Sequence, residues 1–207
     1  GSKYMRASLV NDVLLFVQRN GRKVRELVYE FNKDGWVAPD LTLLAEHITN
    51  GEIVEGLFPI RSTGIDTKPL ISAADAFIAT LSDAQKQDTL YPIDNIEWRR
   101  WANRSIYKRH GVSFDDMNEA QKTAAWDLLD SALSSKGVTL ARDIMHLNET
   151  LGELTNNNFV EFGEGKYWLT MMGTPSASEP WGWQLDGHHL IINFFVQGDQ
   201  IVMTPAF

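Results

Sequence analysis

The stretch Trp181-Gly182-Trp183-Gln184-Leu185-Asp186-Gly187-His188-His189-Leu190-Ile191-Ile192-Asn193-Phe194-Phe195-Val196-Gln197-Gly198-Asp199-Gln200-Ile201-Val202-Met203-Thr204 decides the fold. Its aromatic and β-branched runs are broken twice by Gly-containing pairs at two-residue hairpin spacing, Asp186-Gly187 and Gly198-Asp199. Loop length sets register. An Asp186-Gly187 loop pairs Leu185 with His188, Gln184 with His189 and Trp183 with Leu190. A Gly198-Asp199 loop pairs Gln197 with Gln200, Val196 with Ile201, Phe195 with Val202 and Asn193 with Thr204. Alternation then puts His188 on one face with Trp183, Leu185, Leu190, Ile192, Phe194, Val196, Ile201 and Met203. That face is the expected core. His189 falls on the opposite face with Gln184, Ile191, Asn193, Phe195, Val202 and Thr204. Lys166–Met172 reads as one more strand, so an antiparallel meander is expected over about 166–204.

Upstream the periodicity is helical. Ser72 with Asp75 resembles a capping box for a helix running to about Lys86. Asp116 with Glu119 opens a second helix, which Gly137 closes. A third, from about Thr139 to Thr155, repeats Leu140, Ile144, Leu147, Leu151 and Leu154 at steps of four, three, four and three, a single apolar stripe for a core or partner helix. Short strands and turns are expected over 52–71, and Asp40 caps a short helix over 41–49. Tyr4–Phe31 reads either as a helix or as a hairpin about Asn20-Gly21. Helices first and sheet last give an α+β fold. The expected organisation is a single domain over 1–207, helical over about 1–158.

The 207 residues are 43% hydrophobic and 22% charged, which excludes a disordered chain. There is no cysteine, so disulfides, thiolate metal sites and cysteine nucleophiles are excluded. No apolar run reaches the roughly 18 residues of a membrane span. The net charge is −8, and only residues 97–111 are distinctly basic, at +4. That footprint is too short for nucleic acid. Walker, Gly-x-Gly-x-x-Gly and His-Glu-x-x-His motifs are absent, and Ser176 and Ser178 stand in no Gly-x-Ser-x-Gly elbow.

The polar residues of the meander make the most coherent cluster: Gln184, His189, Asn193 and Thr204. The tandem histidines point in opposite directions, which weighs against a two-histidine clamp on one strand; either remains a lone ligand or a general base. The bland alternative is a hydrogen-bonded His188 at the core margin and a His189 in a polar patch. Glu97-Trp98-Arg99-Arg100-Trp101 through Arg109-His110 interleaves tryptophan with cations. That suits an anionic ligand, or simply a solvated basic helix packed by its tryptophans. Arg142, His146, Glu149 and Glu153 offer a helical chelate, or equally a solvated face. The loop Gly173–Pro180 enters the aromatic strand and borders either a ligand site or nothing.

Ala74–Leu81, Trp98–Asn103, Gln121–Leu133, Gly173-Thr174-Pro175-Ser176, Pro180–Leu190 and Thr204-Pro205-Ala206-Phe207 follow one another in an order that resembles the bacterial and fungal domain-of-unknown-function family numbered 3500, over roughly residues 56–207. The resemblance implies no reaction. It implies that Gly-His-His belongs to a motif block, which singles out His188 and His189. It also implies a continuation past Phe207, supplied by a C-terminal portion or by a second chain.

Two functions follow as expectations. The preferred one is a metal-assisted enzyme for a small, anionic substrate, with its site at the Trp-Gly-Trp/Gly-His-His hairpin. His188 and His189 would ligate a divalent ion or move a proton; Trp181, Trp183, Gln184, Asn193 and Thr204 would bind substrate; Arg99, Arg100 and Arg104 would hold its charge. The alternative is a non-catalytic binding or assembly module using the tryptophan-rich hairpin.

Overall fold

The computed structural model describes residues 62–206 and a short antiparallel ladder of β1 (Phe31–Asn32) and β2 (Gly35–Trp36). The expectations for Tyr4–Val17, for the hairpin about Asn20-Gly21, for the helix over 41–49 and for strands over 52–61 lie outside the described residues. Contacts divide the chain into two units, Gly1–Pro59 and Ile60–Phe207, and the candidate chemistry belongs to the second.

The fold is α+β. Helix α1 (Lys68–Thr80) starts four residues earlier than Ser72, because Pro69 sits in its first turn, where a missing N–H costs nothing. It does not run on to Lys86. Leu81 turns extended, and Ser82 and Gln85 form a reciprocal capping box that opens α2 (Asp83–Thr89). A second capping box, Asn118 with Gln121 rather than Asp116 with Glu119, opens α3 (Glu119–Ala132). Helix α4 (Ser135–Leu154) is capped by Ser134, whose hydroxyl accepts from the Gly137 N–H, so Gly137 belongs to its first turn rather than ending α3. Residues 96–99 make only one 3₁₀ turn, and the rest of the basic segment is irregular.

Six strands form one sheet. The central β5 (Tyr167–Met172) pairs in parallel with β3 (Leu90–Tyr91) and antiparallel with β4 (Val112–Ser113) on one side. On the other side follow β6 (Trp181–Gly187), β7 (Leu190–Gln197) and β8 (Gln200–Ala206), all antiparallel. The Gly198-Asp199 hairpin has the register its two-residue loop demands. The other hairpin does not turn at Asp186-Gly187. Gly187 pairs with Leu190, Leu185 with Ile192, Gln184 with Asn193 and Trp183 with Phe194, so the turn residues are His188 and His189. The turn moves by two residues, so strand partners change by four; the strand side chains keep their expected faces, and only the two histidines leave the ladder.

Two local contacts explain the shift. Asp186 is held in the strand by an ion pair with Arg109. Gly187 lies flat beneath the Tyr167 ring, where a Cβ would overlap the ring carbons; its lack of a side chain serves packing rather than the turn. The Tyr167 hydroxyl then donates to the His188 carbonyl at 2.8 Å and closes the tip.

One face of the sheet packs on the helices. Tyr167, Leu169, Met171, Trp181, Trp183, Leu185, Leu190, Ile192, Phe194 and Val196 join Leu70, Ala74, Phe77, Ala125, Leu128, Leu129, Ala141 and Met145 in one core. Trp183 and Phe194, directly opposite in register, stack at 5.0 Å. The other face is covered by the basic segment: Trp98 meets Phe195 edge-on at 6.3 Å and lies over Gly182.

Candidate functional site

The hairpin tip and the neighbouring helix make the first candidate. His188 turns toward the helices and His189 stands beside it, the two rings 4.1 Å apart, so the pair does not point in opposite directions. His189 has φ 59°, a left-handed conformation uncommon outside glycine and asparagine. Asn148 on α4 orients His188. Its amide nitrogen donates to the Gly163 carbonyl at 2.8 Å, so its oxygen must be the partner of His188 Nδ1 at 2.9 Å. Nδ1 therefore carries the hydrogen, and Nε2 keeps its lone pair. Burial, then the neighbouring imidazole of His189 and the Arg109 charge, lowers the His188 pKa from 6.5 to about 4. His188 is neutral at pH 7.

These histidines border an open groove of about 440 Å³, lined otherwise by Ile144, Leu147, Asn148, Thr150, Leu151 and Leu154. The leucine stripe is thus not the core face of α4. Leu140, Leu147 and Leu154 are 44%, 64% and 79% exposed, while Val138, Ala141, Met145, Asn148 and Gly152 are buried. The buried column has its own three-four spacing and consists mostly of small residues, which lets the helix approach its neighbours closely. A side chain at Gly152 would meet the Phe159 ring, and Asn148 is needed inside to hold Gly163 and His188.

The opposite face of the sheet holds a second, buried polar cluster. Gln184 Nε2 donates to Asn193 Oδ1 at 2.6 Å and to the Trp98 carbonyl at 3.2 Å. Two residues along the same strand, Asp186 Oδ2 is 3.2 Å from Arg109 Nε, with side chains 6% and 2% exposed. Arg109 also donates to the carbonyls of Ala102 and Arg104, each at 2.6 Å, and of Ser105 at 3.1 Å, so one guanidinium ties the irregular segment together. Its carbon lies 5.5 Å from the Trp168 ring. Buried Glu97 accepts from, or pairs with, His110 Nδ1 at 3.0 Å. Burial outweighs the nearby Arg109 charge and raises Asp186 from 3.8 to about 7. Asp186 Oδ1 and Glu97 Oε2 have no hydrogen-bond partner among the described residues.

The residues singled out from the sequence therefore separate. Trp181 and Trp183 are wholly buried and offer no surface to a ligand. Gln184 and Asn193 bond to each other behind the sheet, beside exposed Thr204, which pairs with Asn193 in the register. His189 is not with them. Arg99 is exposed, Arg100 leans toward Glu97 at 4.0 Å, and the Arg104 carbonyl is spent on Arg109; none of the three lines the histidine groove. Among the described residues no three His, Asp or Glu side chains form a metal-ligating group. On α4, Arg142 lies 3.5 Å from the centre of the Trp126 ring, and His146 reaches Glu164, so that row is a surface network. In the 173–180 loop, Ser176 Oγ accepts from the Ser178 and Glu179 N–H groups, and its carbonyl accepts from Trp181 Nε1. Glu97 and Arg109 were legible only as members of the basic segment and Asp186 only as a turn residue, not as a buried cluster. Asn148 was not singled out, and its trace is a lone amide in the small-residue column of α4.

The family described as "Protein of unknown function (DUF3500)" matches residues 63–207. The chain belongs to this family. The DUF3500 match takes in the whole sheet, the hairpin tip and α4, and its description assigns no reaction to them. No curated protein and no solved structure matches the chain. Among the described residues no helix is long and apolar enough to cross a membrane.

Proposed function

We propose that this DUF3500 chain is a non-catalytic binding and assembly module whose recognition face is the outer stripe of α4, not the tryptophan-rich hairpin. One observation carries the reading: Leu140, Leu147 and Leu154, seven residues apart, stand 44%, 64% and 79% out of the fold. Leaving three leucines in a row in water is costly, at roughly 1.5–3 kcal/mol of unrealised burial for each fully exposed side chain. Ile144 and Leu151 complete the four-three spacing, which is the seam geometry of two packed helices. The partner is therefore an amphipathic helix, laid beside the groove with the His188 and His189 rings at its edge.

A fluorescent 21-residue peptide with leucine at each seam position tests this by anisotropy. Wild type should bind it, and Leu147→Asp, a change at an exposed site with unchanged circular dichroism, should not. A wild-type chain that neither binds the peptide nor self-associates at high concentration would overturn the reading.

A second reading is favoured by the His188–Asn148 arrangement. A neutral imidazole with its tautomer fixed and Nε2 unprotonated suits a hydrogen-bond acceptor for a small, largely apolar molecule in the groove. The apolar lining replaces the anionic substrate expected from Arg99, Arg100 and Arg104. Saturation-transfer NMR with a panel of apolar alcohols and amides tests it: signals lost in His188→Phe but kept in Leu140→Ala support it, and no binder in the panel counts against it.

A further inference from the structure

We infer that the segment covering the second face of the sheet carries a recognition site of its own, for a small monocarboxylate, in which Arg100 and His110 meet the ligand and Glu97 stands behind both. The Glu97 side chain is 2% exposed, yet each of its oxygens faces a basic group: Oε1 lies 3.0 Å from His110 Nδ1, and Oε2 lies 4.0 Å from Arg100 Nη1. The His110 and Arg100 side chains are 23% and 31% exposed, so each turns one side to the carboxyl group and keeps another in water. With Nδ1 engaged by Glu97, the His110 atom left for a ligand is Nε2. Half-buried Tyr91 lies in the same field. Burial, then the charges of Glu97 and Asp88, push its pKa up to about 12 against the pull of Arg100, so its hydroxyl keeps its proton and remains a donor.

Anchored backbone holds these groups. The Glu97 N–H donates to Asn95 Oδ1 at 2.8 Å, Trp98 Nε1 donates to the Ile93 carbonyl at 2.7 Å, and Gln184 ties the Trp98 carbonyl to the sheet. His110 precedes Gly111, where φ is 95° and a Cβ would stand 2.2 Å from the Leu169 carbonyl oxygen, so the chain there lies directly against β5. Glu97 Oε2 and Arg100 Nε are buried without a hydrogen-bond partner among the described residues, which leaves the cluster incomplete by itself. Charge selects the ligand. Glu97 and Arg100 offset one another, and protonated His110, with Nδ1–H on Glu97 and Nε2–H turned outward, then balances one negative charge rather than two. A planar carboxylate also fits the fork of a guanidinium.

Titration of the full chain with benzoate at pH 6 and low salt is the test, with calorimetry for affinity and the NMR ring signals of His110 for location. The expected result is a saturable shift of the His110 signals. Affinity should fall about tenfold or more in Arg100→Gln and in His110→Gln, the equivalent of one hydrogen bond to a charged group, with circular dichroism unchanged. Sulfate, a dianion at this pH, should bind the wild type more weakly than benzoate. Glu97→Gln keeps the shape and removes the balancing charge, so it should reverse that preference. Benzoate that leaves the His110 signals in place overturns the site. Undiminished affinity in Arg100→Gln puts the ligand elsewhere and overturns it equally. Sulfate held as tightly as benzoate by the wild type overturns the single-charge assignment.

Discussion

Arg109 Nε lies 3.2 Å from Asp186 Oδ2, with both side chains almost wholly removed from water and the pair set between the sheet and the segment that covers it. Such pairs add little net stability when intact, yet breaking one is expensive. Above about pH 7, where folded Asp186 is ionised, Asp186→Ala is expected to cost about 3–5 kcal/mol because it leaves a buried guanidinium without its counter-charge. Arg109→Met should cost at least as much, since it also orphans the carbonyls of Ala102, Arg104 and Ser105. Urea unfolding of the two variants checks the order; an Arg109→Met protein clearly more stable than Asp186→Ala would contradict it.

Asp186 and His188 act on stability in opposite directions over nearly the same pH range. Folded Asp186 keeps its proton to about pH 7, against 3.8 for a free aspartate. The folded state binds more protons there, so this contribution is full below about pH 4 and is lost as pH rises toward 7. Folded His188 takes a proton only near pH 4, against 6.5 when free. Here the unfolded state binds more protons, and the contribution is full above about pH 6.5 and lost as pH falls toward 4. Relative to wild type, Asp186→Asn should make stability rise more steeply with pH between about 4 and 7, and His188→Asn should make it rise less steeply or fall. Thermal melts across that range measure both slopes, and two variants shifting the slope in the same direction would refute the opposition.

Gly187 owes its place to the Tyr167 ring above it rather than to a turn. Gly187→Ala should destabilise by about 2 kcal/mol or more, the range of overpacking in a core. Gly198→Ala is the contrast: nothing lies within reach of a Cβ there, and only its φ of 61° is unfavourable, so about 1 kcal/mol is expected. Equal losses would remove the packing account of the shifted turn.

Gln121 joins three helices. It completes the Asn118 capping box, and its amide donates to the Thr80 carbonyl at 3.0 Å and to Gln85 Oε1 at 2.8 Å. Gln121→Ala should therefore cost about 2–3 kcal/mol, losing its bonds to two other helices together with its share of the cap, whereas Asn118→Ala should cost about 1 kcal/mol as an ordinary cap. Denaturant midpoints of the pair give the comparison, and an Asn118→Ala loss equal to the Gln121→Ala loss would count against the three-helix role.

The period-two alternation from Trp181 to Thr204 made the meander, its faces and the Gly198-Asp199 register legible, because those depend on local chemistry. The register at Asp186-Gly187 was not, because Arg109 and Tyr167 decide it and both are far away in sequence. The same limit governs α4. Its leucines and its small residues carry the same three-four spacing, and hydrophobicity alone favours the leucines as the core face. Close approach to Gly163, Phe159 and His188 gives the core to Ala141, Asn148 and Gly152 instead. The candidate site was legible only in the prominence of Gly-His-His; the partners of those histidines come from α4, and none of the cations meant for them lines the groove.

Hydroxyl-radical footprinting of Leu140, Leu147 and Leu154 tests the central claim most directly. The account predicts rapid oxidation of all three in dilute protein. It further predicts strong protection of the three together at high concentration or on adding the heptad-leucine peptide, with Leu190 in the core slow throughout. Oxidation of the stripe at one unchanged rate under every condition would contradict the claim that this face of α4 is where the molecule binds.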